Sequence, residues 1–321
     1  MAGVDRLWQW RRAHGAAGLL LVLACAAATI TSVGAAGAET ANRRPQRIVS
    51  INLCTDQLLI DLVERERISA LSRLAADPVL SAVSDRTEGI KLIRGRTEEV
   101  LALRPDLVVT SAYSTPEVVA LLRRVGVRVE RIPMASDIAG IRNAVRELAK
   151  AVGETERGEA MLAAFDQRLA AAAPRSPFRP TALAYQVNSL TSEPGGLIDA
   201  ALTAAGFVNV AGLRSLGPAG RLPLETFVSR PPDLVVLAHD PDAFHTVTAD
   251  NLRHRAFRDL LARRRHVHIP MPLWLCGTPK LATAVEQLGR ERAALQHAAM
   301  SGHRSGEADG ASEFGPGGRA Q

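Results

Sequence analysis

From residue 47 onward, short runs of β-branched and aliphatic residues alternate with stretches whose apolar positions follow the helical period. Such short runs are typical of buried strands, and the longer period is typical of amphipathic helices. In the first half, the pattern predicts strands at 47–52, 68–71, 107–111 and 128–132 and helices at 55–63, 98–103 and 118–125. Thr55 or Asp56 would cap the first helix. The alternation indicates a parallel sheet flanked by helices.

Two longer helical patterns separate these strands from a second set. Asp137 precedes a helix at 138–152, and a further helix covers 154–173. Prolines within 174–180 end it, because proline cannot continue a helix. The alternation then resumes, with predicted strands at 181–186, 234–238 and 267–269 and helices at 197–205, 257–262 and 281–295. Residues 299–321 lack periodicity and predict a disordered tail.

A short internal repeat links the two halves of the chain. The segment TEEVLALRPDLVV at 97–109 aligns at a constant offset with LETFVSRPPDLVV at 224–236. Each copy reads as a short helix with an acid in its first turn, Glu98 or Glu225, followed by a Pro-Asp stop and a buried strand. The same unit on either side of a helical connection predicts two similar α/β lobes.

The first residues read as an export signal. Three arginines precede an apolar run at 15–30, and Ala36-Gly37-Ala38 fits a cleavage site. The run is short for a membrane span of ~20 residues. We therefore expect residues 1–38 to be a signal peptide and the mature chain to be periplasmic, with a lipid anchor on Cys25 as the less favoured alternative.

Composition narrows the possible functions. Apolar residues make up 47% and charged residues 22% of the chain, which is typical of a globular protein and excludes wholesale disorder. The net charge is +6, but the 39 basic residues are interleaved with 33 acidic ones, and aromatic residues contribute only 4%. A nucleic-acid surface usually clusters its basic residues. We therefore do not expect nucleic acid as a partner.

Five segments together resemble the periplasmic substrate-binding proteins of the vitamin B12 and ferric-siderophore ABC importers. They are the two repeat copies, RIVSINLCTDQLL at 47–59, GGLIDAALTAAGFVNVAG at 195–212 and PLWLCGTP at 272–279. Each motif is loose by itself, and their order and spacing carry the resemblance. It implies two α/β lobes with parallel sheets flanked by helices, joined by one long helix, with a ligand cleft between them.

The resemblance also implies a domain organisation and a set of partners. The expected parts are an N-terminal lobe at 45–153, an interlobe helix at 154–173 and a C-terminal lobe at 174–298. The ligand would be a small-molecule cobalt or iron chelate, such as a corrinoid or a ferric siderophore. The chain would act as a monomer without a resident cofactor and would deliver the chelate to an inner-membrane ABC permease and its ATPase.

The resemblance assigns the two repeat glutamates a role in docking. In the family, one acid on each lobe contacts arginine pockets on the permease, and the matching positions are Glu98 and Glu225. An acid in the first turn of a helix is also favoured by the helix dipole. We prefer docking, because a cap alone gives no reason for the pair to recur at equivalent positions.

Ligands of open α/β sheets bind outside the carboxyl ends of the strands. The residues that follow the predicted strands are therefore candidates for the cleft. They are Asn52, Cys54, Thr55, Arg73, Tyr113, Gln186, Asn188, His239, Trp274 and Cys276. Tyr113 and Trp274 would stack on a flat chelate or flank a corrin ring, with core packing as the alternative for each; the loop setting between Pro272 and Gly277 favours the cleft for Trp274, and the choice is even for Tyr113. His239 is a minority candidate for an axial metal ligand.

The two cysteines of the mature chain fall in equivalent loops of opposite lobes. A disulfide between Cys54 and Cys276 is favoured by the exported setting. It requires Cα atoms within about 7 Å, so thiols that contact the ligand and separate inert residues stay open as alternatives.

A binding protein is favoured over an enzyme. The sequence contains no G-x-S-x-G, P-loop, G-x-G-x-x-G or H-E-x-x-H motif. The alternatives are a metal-ion or haem-binding protein, and a metal-dependent, chelatase-like enzyme that would use His239 and the cysteines.

Overall fold

The computed structural model describes residues 44–112, 114–213, 220–238 and 249–310. The predicted signal peptide at 1–38, with Cys25, lies outside these ranges, as do Tyr113 and His239. None of the helices in the described ranges combines the length and the apolar character that a bilayer crossing requires.

The first lobe is built on five parallel strands. They are β1 Ile48–Ser50, β2 Ile68–Ser72, β3 Leu92–Ile93, β4 Leu107–Ser111 and β5 Val129–Ile132. Their order across the sheet is β3-β2-β1-β4-β5. Three helices connect them, namely α1 Leu53–Leu62, α2 Thr97–Leu101 and α3 Pro116–Arg124. Every residue of β1 and β4 is buried, as expected for parallel strands with helices on both faces.

The first helix begins earlier than the sequence predicts. Asn52 is its N-cap, and its side-chain oxygen accepts hydrogen bonds from the backbone N–H of Cys54 at 3.0 Å and of Thr55 at 3.4 Å. The predicted caps Thr55 and Asp56 lie inside the helix instead. An asparagine in extended conformation satisfies the exposed N–H groups of the first turn, which explains the earlier start.

The second lobe repeats this architecture with four parallel strands. They are β6 Thr181–Ala184, β7 Val208–Asn209, β8 Leu234–Leu237 and β9 Arg265–His268, in the order β7-β6-β8-β9. Its helices are α6 Leu197–Ala204, α7 Leu224–Ser229, α8 Asp250–Arg253 and α9 Arg255–Leu261. All strand pairs in this sheet are parallel, so the predicted fold of two parallel-sheet lobes is confirmed.

The internal repeat occupies equivalent positions in the two lobes. In the first copy, Asp106 precedes β4 and accepts a hydrogen bond from the backbone N–H of Arg47, just before β1, at 2.8 Å. In the second copy, Asp233 precedes β8 and accepts one from the backbone N–H of Thr181, at the start of β6, at 2.7 Å. Each aspartate therefore fixes the start of the neighbouring parallel strand, which gives the shared Pro-Asp sequence a structural reason.

Two helices connect the lobes, α4 Ile138–Val152 and α5 Thr155–Ala172. The second occupies the segment where the sequence predicts the interlobe helix. Val145 of α4 and Leu162 of α5 belong to the core of the first lobe, whereas Ile141 and Phe165 belong to the core of the second. Because the same helix pair is built into both cores, it is a stiff connection.

The last helix, α10, runs over Leu281–Gly310 and packs against α5 and α6. This helix overlaps the disordered tail predicted from residue 299 as far as Gly310, while residues 311–321 lie outside the described ranges. Arg168 on α5 forms an ion pair with Glu286 on α10 at 2.7 Å. Arg168 also donates a hydrogen bond to Thr283 at 2.8 Å. These contacts join α10 to the interlobe helix.

Candidate functional site

A cavity of about 770 Å³ lies between segments that follow strands of both lobes. The first lobe contributes the residues after β5, and the second contributes those after β6 and β9. The lining residues are Ala135, Ser136, Gln186, Thr191, Ser192, Glu193, Pro194, Gly195, Gly196, Leu197, Ile198, Met271, Trp274 and Leu275. The position agrees with the rule that ligands of open parallel sheets bind outside the carboxyl ends of the strands.

The lining combines neutral hydrogen-bonding groups, apolar side chains and one carboxylate. Ser136 and Thr191 carry hydroxyls and Gln186 an amide, and the charged group is Glu193. The Glu193 side chain is exposed and lies over Gly220, where an added Cβ would be 2.4 Å from Glu193 Oε1. Gly220 has φ +69, a left-handed backbone conformation that residues with a side chain rarely adopt, so the backbone as well as the contact with Glu193 requires glycine here. The wall thus presents a negative group beside neutral donors and acceptors.

The loop that carries Glu193 is ordered by its own hydrogen bonds. Gly195 adopts φ +85 and its N–H donates to Asp199 Oδ2 at 2.9 Å. Asp199 Oδ1 in turn accepts from the side-chain amide of Asn209 at 2.9 Å. This network holds residues 193–196 against α6 and β7, on one side of the cavity.

Two of the predicted cleft residues line this cavity, Gln186 and Trp274. Trp274 is only 4% exposed and packs in the core of the second lobe. Little of the ring is accessible to a ligand in this cavity, and its stacking on a flat chelate stays a prediction.

Asn52 and Thr55 both have structural roles in the first lobe, and the contact of the half-buried Asn52 with ligand stays a prediction. Asn52 caps α1. Thr55 is 2% exposed, and its hydroxyl lies 2.8 Å from Ser50 Oγ and 2.9 Å from the backbone oxygen of Asn52. A hydroxyl that is buried and already paired within the lobe is not available to a ligand in the cleft.

Arg73 and Asn188 also fall outside the cavity lining. Arg73 is exposed in a short 3-10 turn after β2, and Asn188 is exposed in a second turn with φ 59. The rule about strand ends selects a sheet edge, but it does not specify which side chains of the following turn face the partner lobe.

Sequence reasoning missed the loop at 191–198, the pair Ala135 and Ser136, and Met271. The Gly195-Gly196 pair could have indicated this loop, because it begins the segment at 195–212 that carries part of the family resemblance and directly precedes a predicted helix. Ala135 and Ser136 gave none, because their role depends on how the lobes meet.

The favoured disulfide between Cys54 and Cys276 is present, with Cα atoms 5.1 Å apart. Cys54 lies in the first turn of α1 and Cys276 follows the cavity residues Trp274 and Leu275. The bond therefore joins the two lobes beside the cavity, and the thiols are not free to contact a ligand.

The helix that carries Cys54, α1, also contains a buried carboxyl. Asp56 is fully buried, its Oδ1 accepts a hydrogen bond from the backbone N–H of Ser72 at 3.2 Å, and its Oδ2 pairs with the Ser72 hydroxyl. Burial raises the pKa of Asp56 to about 7, and the hydrogen bonds from Ser50 and Ser72 lower it only in part. The described ranges contain no group of three or more histidine, cysteine or acidic side chains able to hold a metal ion.

The proposed docking acids occupy matching sites. Glu98 lies in the first turn of α2 and Glu225 in the first turn of α7, and both side chains are exposed. Because α2 precedes β4 as α7 precedes β8, the two carboxylates have equivalent positions on the two lobes.

Comparison with known proteins places this architecture among binding proteins. A curated "Cobalamin-binding protein" of Halobacterium salinarum is 28% identical over 212 residues, which is 64% of this chain and 57% of the relative. The chain thus spans little more than half the length of that relative.

Solved structures share the fold at low identity. The periplasmic heme-binding protein RhuT of Roseiflexus sp. RS-1 aligns with TM-score 0.65 and 22% identity, covering 78% of this chain and 98% of that one. The periplasmic vitamin B12 binding protein BtuF of Vibrio cholerae aligns with TM-score 0.58 and 17% identity, covering 79% and 98%.

A family-level match covers both lobes of the chain. The sequence profile described as "Periplasmic binding protein" matches residues 48–261. This range contains both repeat copies and most of both sheets. With its two parallel-sheet lobes and the cavity between them, the chain belongs to the periplasmic binding protein family.

Proposed function

We propose that this protein is the periplasmic substrate-binding component of an ABC importer, which captures a metal chelate and delivers it to an inner-membrane permease with its ATPase. The observation that carries the proposal is the cavity of about 770 Å³ between the carboxyl ends of strands from both lobes. The family supports binding as the activity, and we propose capture and release without turnover, by a monomer.

The interlobe disulfide supports export. Disulfides persist in oxidising compartments and are rare in the cytosol, and Cys54 and Cys276 form one. The basic and apolar leader at 1–38 supports the same location. Both features favour the periplasm as the site of action.

We propose a cobalt corrinoid as the ligand class. Corrinoids present neutral amide groups around the ring, which suit the hydroxyl of Ser136 and the amide of Gln186. The Thr191 hydroxyl donates to the Gly220 backbone oxygen at 3.2 Å, so its oxygen is left to accept from such an amide. The Glu193 carboxylate would repel the propionates of haem and the anionic groups of many ferric siderophores. The cobalamin-binding relative supports the same choice.

Calorimetric titration of the chain from residue 39 onward tests this ligand class. We expect saturable one-to-one binding of cobinamide at micromolar affinity or tighter, and weaker binding of haem. Glu193→Arg should shift the preference towards haem, because an anionic ligand then gains a favourable partner. The matched control is Glu156→Arg, which reverses an exposed acid in the first turn of α5, outside the cavity lining. Tighter binding of haem than of cobinamide by the unmodified protein would refute the corrinoid proposal.

Docking to the permease is proposed through Glu98 and Glu225. Their exposure and equivalent placement suit two arginine pockets related by the symmetry of a permease. Exposed ion pairs contribute only about 0–1 kcal/mol each, so docking would depend on both contacts acting together.

A further inference from the structure

We propose that the Cys54–Cys276 disulfide is a positioning element of the ligand cavity: it fixes the wall formed by residues 271–275 of the second lobe against the first lobe. This role rests on the proposed function for its ligand. The two cysteines shape the cavity without lining it. Residues 54 and 276 are 222 positions apart in the chain, yet their Cα atoms lie 5.1 Å apart.

The cavity wall ends at the disulfide. Met271, Trp274 and Leu275 line the cavity, and Cys276 follows at once. The wall itself is a single 3-10 turn, in which the backbone N–H groups of Trp274 and Leu275 bond to the Met271 oxygen at 3.1 and 2.9 Å. A short turn of this kind has poor hydrogen-bond geometry, so a covalent anchor at its end restricts its position strongly.

The anchor on the other side is rigid. Cys54 lies in the first turn of α1, which Asn52 caps and which packs against β1, β2 and α4. Fixing Cys276 to this helix therefore fixes the second-lobe wall to the core of the first lobe.

Close packing next to the disulfide supports the same role. Gly277 lies against Ala135, a cavity residue of the first lobe, so closely that an added Cβ would be 2.3 Å from the Ala135 Cβ. Gly277 has no left-handed backbone conformation that would require glycine. The close approach of the two lobes is thus the reason for a residue without a side chain.

An ion pair continues this line of contact between the lobes. Lys280 Nζ lies 3.3 Å from Asp61 Oδ2 at the end of α1, and both side chains are largely shielded. The disulfide, the glycine contact and this ion pair all join residues 276–280 of the second lobe to the first lobe. Without the disulfide, the wall formed by residues 271–275 would be free to move away from Ala135.

The first test removes the bond without adding bulk, with Cys54→Ser and Cys276→Ser combined. Affinity for cobinamide should fall about tenfold, which corresponds to the cavity arrangement dropping to about a tenth of the population. Hydrogen exchange of the amides at 273–278 should accelerate more than that of the β8 amides in the same lobe. This comparison separates a local release of the wall from a general loss of stability.

The second test keeps the disulfide and disturbs its neighbour. Gly277→Ala should weaken cobinamide binding, and adding Ala135→Gly should restore it, because the second change removes the atom that the new Cβ would strike. Unchanged amide exchange at 273–278 and unchanged affinity in the double-serine variant would overturn the positioning role. Failure of the unmodified protein to bind any chelate would instead refute the proposed function, and the exchange measurement would still decide whether the disulfide positions the wall.

Discussion

The buried carboxyl of Asp56 makes the stability of the protein depend on pH in a specific direction. Its pKa is raised to about 7 by burial, whereas a carboxyl in an unfolded chain titrates near 3.9. Between these values the folded protein holds a proton that the unfolded chain has lost. The free energy of unfolding must therefore decrease as the pH rises through this window, and it stops changing above about pH 7.

The expected size follows from the difference between the two pKa values. One pKa unit corresponds to about 1.4 kcal/mol, so the contribution of Asp56 falls by roughly 3 kcal/mol between pH 5 and pH 8. With a slope of about 3 kcal/mol per molar urea for a chain of this size, the urea midpoint should shift by roughly 1 M. Other titrating groups add to the observed profile, so a control variant is needed.

Asp56→Asn provides that control, because an amide keeps the shape and does not titrate. Its oxygen can accept from the Ser72 backbone N–H and its nitrogen can donate to the Ser72 hydroxyl, which reproduces the contacts of the protonated acid. Urea unfolding at pH 5, 6, 7 and 8 should show the unmodified protein losing stability relative to the variant as the pH rises. A constant difference between the two, or one of opposite sign, would refute the assignment.

Three further predictions concern packing and docking. Gly158→Ala should lower the free energy of unfolding by about 1–3 kcal/mol, because an added Cβ would lie 2.5 Å from the Ala149 Cβ; equal urea midpoints would contradict this. Trp274→Ala should lower the free energy of unfolding, followed by circular dichroism, by about 3–5 kcal/mol, because the ring packs in the core of the second lobe. A decrease below about 1 kcal/mol would place the ring outside the core. Glu98→Ala combined with Glu225→Ala should abolish uptake in cells and leave ligand affinity intact, and unaffected uptake would exclude docking at these acids.

The fold could be predicted because its signals are local and repeated. The buried strand at 107–111 and the copy at 234–236 fall in the interior strands β4 and β8, and the Pro-Asp stop has the same structural role in both lobes. The α4 and α5 helices followed from apolar spacing. Hydrophobic patterning carries this information because each helix buries one face, whereas the interior strands are buried on both faces and appear as short continuous apolar runs.

The cavity was harder to predict because it depends on contacts between distant segments. Asn52 and Thr55 follow the first strand as a ligand site requires, but the cap of α1 and a buried hydroxyl pair use their polar groups internally. Ala135 lines the cavity only because the second lobe approaches it at Gly277. Sequence periodicity contains no information about such an approach, whereas the two cysteines were a true signal of it.

Tryptophan fluorescence tests the central claim most directly, because the site contains its own reporter. The chain has three tryptophans, and the protein without residues 1–38 retains only Trp274, which borders the cavity. With inner-filter correction, titration of cobinamide should produce a saturable change at one equivalent and at micromolar or tighter affinity. An unchanged signal, together with no heat of binding in calorimetry, would contradict the proposal that this cavity captures a corrinoid.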